Sequence, residues 1–220
     1  MRTVIPYTQL RPSIVTGSPL LFSGKEKVSG LIKIGTGSGK THVAMAIRGV
    51  DFAALCPEQA KGLDTSRVLC WESTTLSDVA SIDGQHRSGV QTVYLSDRLA
   101  AYEGEVSIRI LERRPDYDEL GALLAFHSVM AGRNYEESVR ELICAAYDGP
   151  LGENEECFDT VFCSELLAGG YQHMGYLPFP PAGPAANEYV PKDICKLTAL
   201  GRGQTLGIEI IIHVGHKKNG

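Results

Sequence analysis

No stretch of this 220-residue sequence reaches the run of about 18 consecutive apolar residues that suggests a membrane-spanning helix. The N-terminal residues do not read as a secretory h-region either: Pro6, Gln9, Arg11 and Pro12 interrupt the apolar ones, so a cytoplasmic location is expected unless another route exports the chain. Six cysteines occur at 56, 70, 144, 157, 163 and 195, but none form a C-x-x-C pair. That irregular spacing argues against a zinc ribbon and a disulfide scaffold, and reduced thiols are expected. His213-x-x-His216 ends a strand-like run with no cysteine or carboxylate motif beside it, so neither a metal nor another cofactor is expected. Excess charge of either sign is also lacking. With 21 Lys and Arg against 26 Asp and Glu, the net charge of −5 provides no field for nucleic acid or an anionic membrane. Internal repeats and low-complexity tracts are absent, and the length suits a single domain over 1–220.

What is present is a set of short alternating segments. In 41–49, Val43, Met45 and Ile47 point one way while His42, Ala44 and Ala46 point the other. In 67–74, Val68, Cys70 and Glu72 oppose Leu69 and Trp71. Segments 18–24, 90–95, 105–111 and 205–214 complete the expected strands, and 27–35 reads as a short helix ending in glycines. Apolar positions at helical spacing predict helices over 116–131, over 135–146, and from near Cys163 to Gly175, a residue suited to a helix-terminating turn. The stretch 178–187, PFPPAGPAAN, is too poor in donors for a helix or central strand and reads as a surface connection. A run of strands, then helices, then a last strand indicates an α+β fold with a largely antiparallel sheet.

The segment IGTGSGKTH, 34–42, resembles the end of a phosphate-binding loop. Such a loop needs glycine five positions before Gly39, where Ile34 stands, and its Lys-Thr must open a helix whose free amides hold phosphate. Here Lys40-Thr41 opens an alternating, strand-like segment. No apolar strand ends in the aspartate a nucleotide site would need. The glycines read instead as a turn that delivers His42.

His42 lies at the entry of a strand on a face otherwise occupied by alanines, which leaves room for an approaching helix. His86 falls in a polar turn, and His127 and His173 fall in helical runs where they serve as filler. A thiol becomes a strong nucleophile as thiolate, favoured at a helix N-terminus or beside an imidazolium. Cys163 stands where an apolar approach meets a helical pattern, with Ser164 and Glu165 suited to a first helical turn. On that placement its own N–H could help hold an oxyanion. Glu72 is an acid inside an otherwise apolar strand. It either points inward, where it needs a partner such as an imidazole, or lies on an edge strand and reaches solvent.

Together these pieces resemble the circularly permuted papain-like hydrolases, the YiiX-like branch of the NlpC superfamily. GLIKIGTGSGKTHVAMAI is similar to their histidine segment, FCSELLAGGYQHMGYL to their nucleophile helix, and CWEST to their glutamate strand. GVQTVYLSDRLAAYEGEVSIRIL, AAYDG and ANEYVPKDI are similar to further pieces in the same order, so the likeness spans about residues 15 to 195. It implies a permuted papain-like fold, an antiparallel sheet packed against the helix carrying the nucleophile. It further implies Cys163 as nucleophile, His42 as base, Glu72 as the orienting third member and Tyr147 as a residue lining the substrate site. The expected activity is hydrolysis of an amide or ester, and the expected partner is a small peptide-like or acyl-amide substrate. The sequence departs from the family pattern at Lys40-Thr41, Ala44 and AAYDG. None of these departures removes a functional group, though Lys40 is expected beside the cleft, where it would bear on substrate preference. The rival readings are a non-catalytic binding module that retains the three residues as packing, and a nucleotide binder.

Overall fold

A computed structural model describes residues 2–24, 39–131 and 155–214, without the side chains of 155–162. The expected helices over 27–35 and 135–146, with Tyr147, Cys144 and His216, lie outside the described residues, as does the side chain of Cys157. Among the described residues, seven strands form one sheet: β1 (Thr3–Pro6), β2 (Pro19–Ser23), β3 (His42–Arg48), β4 (Val68–Thr74), β5 (Gly89–Tyr94), β6 (Glu105–Leu111) and β7 (Leu206–His213). Their spatial order is β1-β7-β6-β2-β3-β4-β5. Every pairing is antiparallel except β1 with β7, which run parallel. Six helices accompany the sheet among the described residues: α1 (Tyr7–Leu10), α2 (Gly49–Leu55), α3 (Leu95–Ala101), α4 (Tyr117–Met130), α5 (Glu155–His173) and α6 (Pro191–Lys196). The fold is α+β, as the order of elements indicated.

Strand alternation translates directly into two cores. Val43, Met45, Ile47, Leu69 and Trp71 pack with Leu123, Leu124, Leu166, Leu167 and Tyr171 from α4 and α5. Ala44, Ala46, Val68, Cys70 and Val93 face the other way, onto Leu95 and Leu99 of α3 and onto Leu10 and Ile14. Both faces of the central strands are thereby removed from water, which is the main source of their stability.

Helix α4 begins at a reciprocal cap. The Glu119 N–H donates to Asp116 Oδ1 at 2.9 Å, and the Asp116 N–H donates to Glu119 Oε2 at 2.8 Å. At the far end of α5, Gly175 has φ +73°. The Tyr176 N–H donates to Tyr171 O at 2.8 Å and the Gly175 N–H to Gln172 O at 3.0 Å, a paired closure that a left-handed residue makes possible.

Gly170 decides how α5 lies on the sheet. A Cβ there would come within 3.1 Å of Met45 Cε, 3.2 Å of Leu123 Cδ1 and 3.4 Å of Trp71 Cζ3, so the bare backbone permits the close approach. Cys163 is seven residues earlier on the same helical face, about 10.5 Å back along the axis. His42 is three residues before Met45, about 10 Å back along β3. The two spacings match, and the thiol meets the imidazole although β3 carries His42 on the parity opposite Met45.

Candidate active site

His42 shares a sheet face with Phe22, its partner across β2, and the two rings lie 5.0 Å apart. Met45 pairs with Trp71, so Glu72 falls opposite Ala44 and diagonal to His42 on the same face. The small Ala44 side chain leaves that diagonal open. The Nε2–H of His42 donates to Glu72 Oε2 at 2.8 Å. Cys163 hydrogen-bonds the same imidazole, which leaves Nδ1 as the ring nitrogen for the thiol. Thus the structure brings Cys163, His42 and Glu72 together, with the imidazole interacting with both thiol and carboxylate.

Glu72 is 0% exposed and lies on an interior strand, which disposes of the solvent-reaching alternative. Burial opposes its charge. Donors and cations outweigh that burial: the His42 ring, the Arg98 guanidinium and the Gln91 amide, at 2.9 Å from Oε1, hold its carboxyl down at about 2. His42 reads the same way with the sign reversed. Burial of a ring with a side chain only 15% exposed favours the neutral form, yet the Cys163 sulfur and the Glu72 carboxylate push it up to about 9.

Cys163 itself is 1% exposed. The expectation that it opens a helix is corrected here, because α5 starts at Glu155 and Cys163 lies well inside it. An interior helical amide bonds to the carbonyl four residues back, so the Cys163 N–H is not a free oxyanion donor and the N-terminus of α5 does not face the sulfur. Glu155 and Glu156 were the sequence signal for the earlier start, since acids favour a first helical turn.

The other described cysteines differ in environment. Burial pushes the Cys56 thiol up, pushes Cys195 up to about 11 and holds Cys70 well above its ordinary value. Each is thereby kept as an unreactive thiol.

Sequence reasoning missed two contributors. Gln91 sits opposite Glu72 on β5, on the face it shares with Val93. Arg98 comes from α3, a helix of seven residues whose buried positions are Leu95, Arg98 and Leu99. An arginine at i+3 on an apolar helical face was the available clue, because such a charge demands a buried carboxylate. Lys40, expected beside the cleft, is engaged by the neighbouring strands. Its ammonium lies 2.6 Å from Glu209 Oε1 and donates to Ser107 Oγ at 2.9 Å, so its charge is balanced by β6 and β7.

No protein-family model matches the chain, and no curated protein matches it. Among solved structures, the crystal structure of the metalloprotein yiiX from Escherichia coli O157:H7 is similar over 89% of each chain, at 15% identity and a TM-score of 0.46. Among the described residues here, no three His, Cys, Asp or Glu side chains gather where they could hold a metal ion. No described helix is long and apolar enough to cross a membrane.

Proposed function

We propose that this chain is a thiol hydrolase of the permuted papain-like kind, cleaving an amide or ester bond through a thioester on Cys163. The observation that carries the reading is the buried contact of one imidazole with both thiol and carboxylate, Cys163–His42–Glu72. His42 draws the proton from Cys163, and the thiolate sulfur attacks the substrate carbonyl carbon. The imidazolium then returns the proton to the departing amine or alcohol as the carbon–heteroatom bond breaks. A water molecule, deprotonated by His42, attacks the thioester and releases the acid and the thiol. Glu72 keeps the ring turned so that one nitrogen faces sulfur throughout. With the Cys163 N–H inside a helix, the oxyanion donor belongs to another residue.

A second reading, a binding module in which the three side chains are packing, draws on the 1% exposure of Cys163 and its interior helical position. Alkylation separates the two. A limiting dose of iodoacetamide at a pH of about 6.5, some two units below a free thiol's usual value, is expected to label Cys163 ahead of Cys56, Cys70 and Cys195. Incubation with p-nitrophenyl acetate is expected to leave an acetyl group on Cys163 in the intact mass, removed on standing. Labelling of Cys163 no faster than that of Cys56, with no acetyl adduct, would establish the module instead.

A further inference from the structure

We infer that Arg98 is a positioning residue that acts through Glu72 to keep the His42 proton transferable, an inference that rests on the thiol–imidazole pairing proposed above. Arg98 is 1% exposed, and its Nε lies 2.9 Å from Glu72 Oε1 and 3.2 Å from Oε2. Its guanidinium carbon sits 5.5 Å from the centre of the Phe22 ring and 5.4 Å from that of Tyr102. Neither Nη atom makes a hydrogen bond, although Nη1 lies 3.6 Å from Asp78 Oδ1. An arginine placed only to anchor a carboxylate presents two parallel N–H groups to it. This one offers Nε and leaves the rest of its fork without hydrogen bonds. Its contribution to Glu72 is charge more than geometry.

That charge has a chemical use. A lone buried carboxylate against an imidazole would hold the imidazolium so tightly that His42 became a poor acid toward a leaving group. A second cation on the same carboxylate divides its attraction and repels the imidazolium directly. Among the described residues, the groups that face the pair are Cys163 from α5, Cys70 from β4, Asp78 from the segment after β4, Tyr102 after α3, and the uncharged Gln91 and Phe22 from β5 and β2. Among them Asp78 opposes Arg98, since it draws on the same guanidinium.

The test is the titration of His42 by NMR in the full chain carrying isotope-labelled histidine, its signal assigned by its loss in His42→Ala. Arg98→Gln keeps an amide donor for Glu72 and removes the charge; the His42 pKa is expected to rise by about one unit. Arg98→Lys, which restores the charge, is expected to bring it back to within about 0.3 units of the parent. Asp78→Asn, at a side chain 43% exposed and so tolerant of change, is expected to move His42 the other way by a smaller amount. A folded Arg98→Gln whose His42 titrates as in the parent would reduce Arg98 to packing and overturn the inference. Should Arg98→Gln fail to fold, Asp78→Asn decides, and no downward shift there overturns it equally. A parallel Cys163→Ala titration keeps the two claims apart. If His42 ignores that change, the thiol–imidazole pairing fails, whatever Arg98 does.

Discussion

His42 and His127 are both buried imidazoles packed against the same sheet from opposite faces, and they are driven in opposite directions. His127 is 3% exposed, with rings of Phe52 and Trp71 each 5.2 Å from its own. Its partner is Thr92 Oγ1, 2.8 Å from Nε2, and Nδ1 makes no hydrogen bond. Burial alone pushes it down to about 4. At His42 the same burial is outweighed by the sulfur and the carboxylate, and the ring is pushed up to about 9. Burial is therefore common to both, and it prevails only where no charged partner opposes it. The difference is what reaches each ring: an acid from β4 and a thiol from α5 at His42, two aromatic rings and a hydroxyl at His127.

The largest expected effect breaks or keeps this contrast at the level of chemistry. His42→Ala is expected to slow alkylation of Cys163 near neutral pH by about a hundredfold or more, the low end of what a positioned acid–base group supplies. His127→Asn is expected to leave that rate within about threefold. Equal slowing by both, with both proteins folded, would mean that the rate follows packing and not the imidazole beside the sulfur.

Next in size is a pH dependence of stability with two sides, measured by urea unfolding. His127 is depressed in the folded chain, so its contribution is present above about pH 6.5, the unfolded value, and is lost as pH falls through about 4. The full loss amounts to roughly 3 kcal/mol. His42 is raised, so its contribution is complete below about 6.5 and disappears as pH rises through about 9. Stability should peak near pH 6.5. His127→Leu is expected to flatten the acid side down to about pH 4.5, below which the unfolded chain takes up a proton on Glu72 that the folded chain, holding it at about 2, does not. His42→Ala is expected to flatten the alkaline side alone. One variant flattening both sides would show that the two sites are not independent.

The smallest effect concerns the loop before His42. Lys40 is balanced by Glu209 and Ser107, so Lys40→Ala is expected to keep turnover of p-nitrophenyl acetate within about tenfold, near 1.4 kcal/mol at the barrier. Complete loss of turnover, joined to ATP affinity in the parent, would restore the phosphate-loop reading.

The strands around the site were legible because each central strand carries apolar residues of opposite parity for two cores, with His42 and Glu72 as the polar exceptions on one parity. Helix α4 was legible from its apolar spacing, and the end of α5 from Gly175. β1 escaped notice because its four residues, TVIP, two exposed and two half-buried, carry little pattern, and their partner β7 lies some 200 positions away. Helices α2 and α3 are too short for a periodicity to accumulate. Arg98 went unseen with α3, and so did the cation that shares Glu72. The start of α5 was misplaced because the polar EECFDT reads as a loop unless its acids are taken as a helix opening.

Gly170 makes the distance between sulfur and ring a matter of counting. Seven helical residues are laid beside three strand residues, and the two lengths agree to within about 1 Å. A residue inserted anywhere between Cys163 and Gly170 would turn the sulfur about 100° around the axis and carry it about 1.5 Å along, away from His42. A conservative exchange at Leu166 or Leu167 keeps that measure intact. The site therefore tolerates changes of letter between those two positions far better than any change of number.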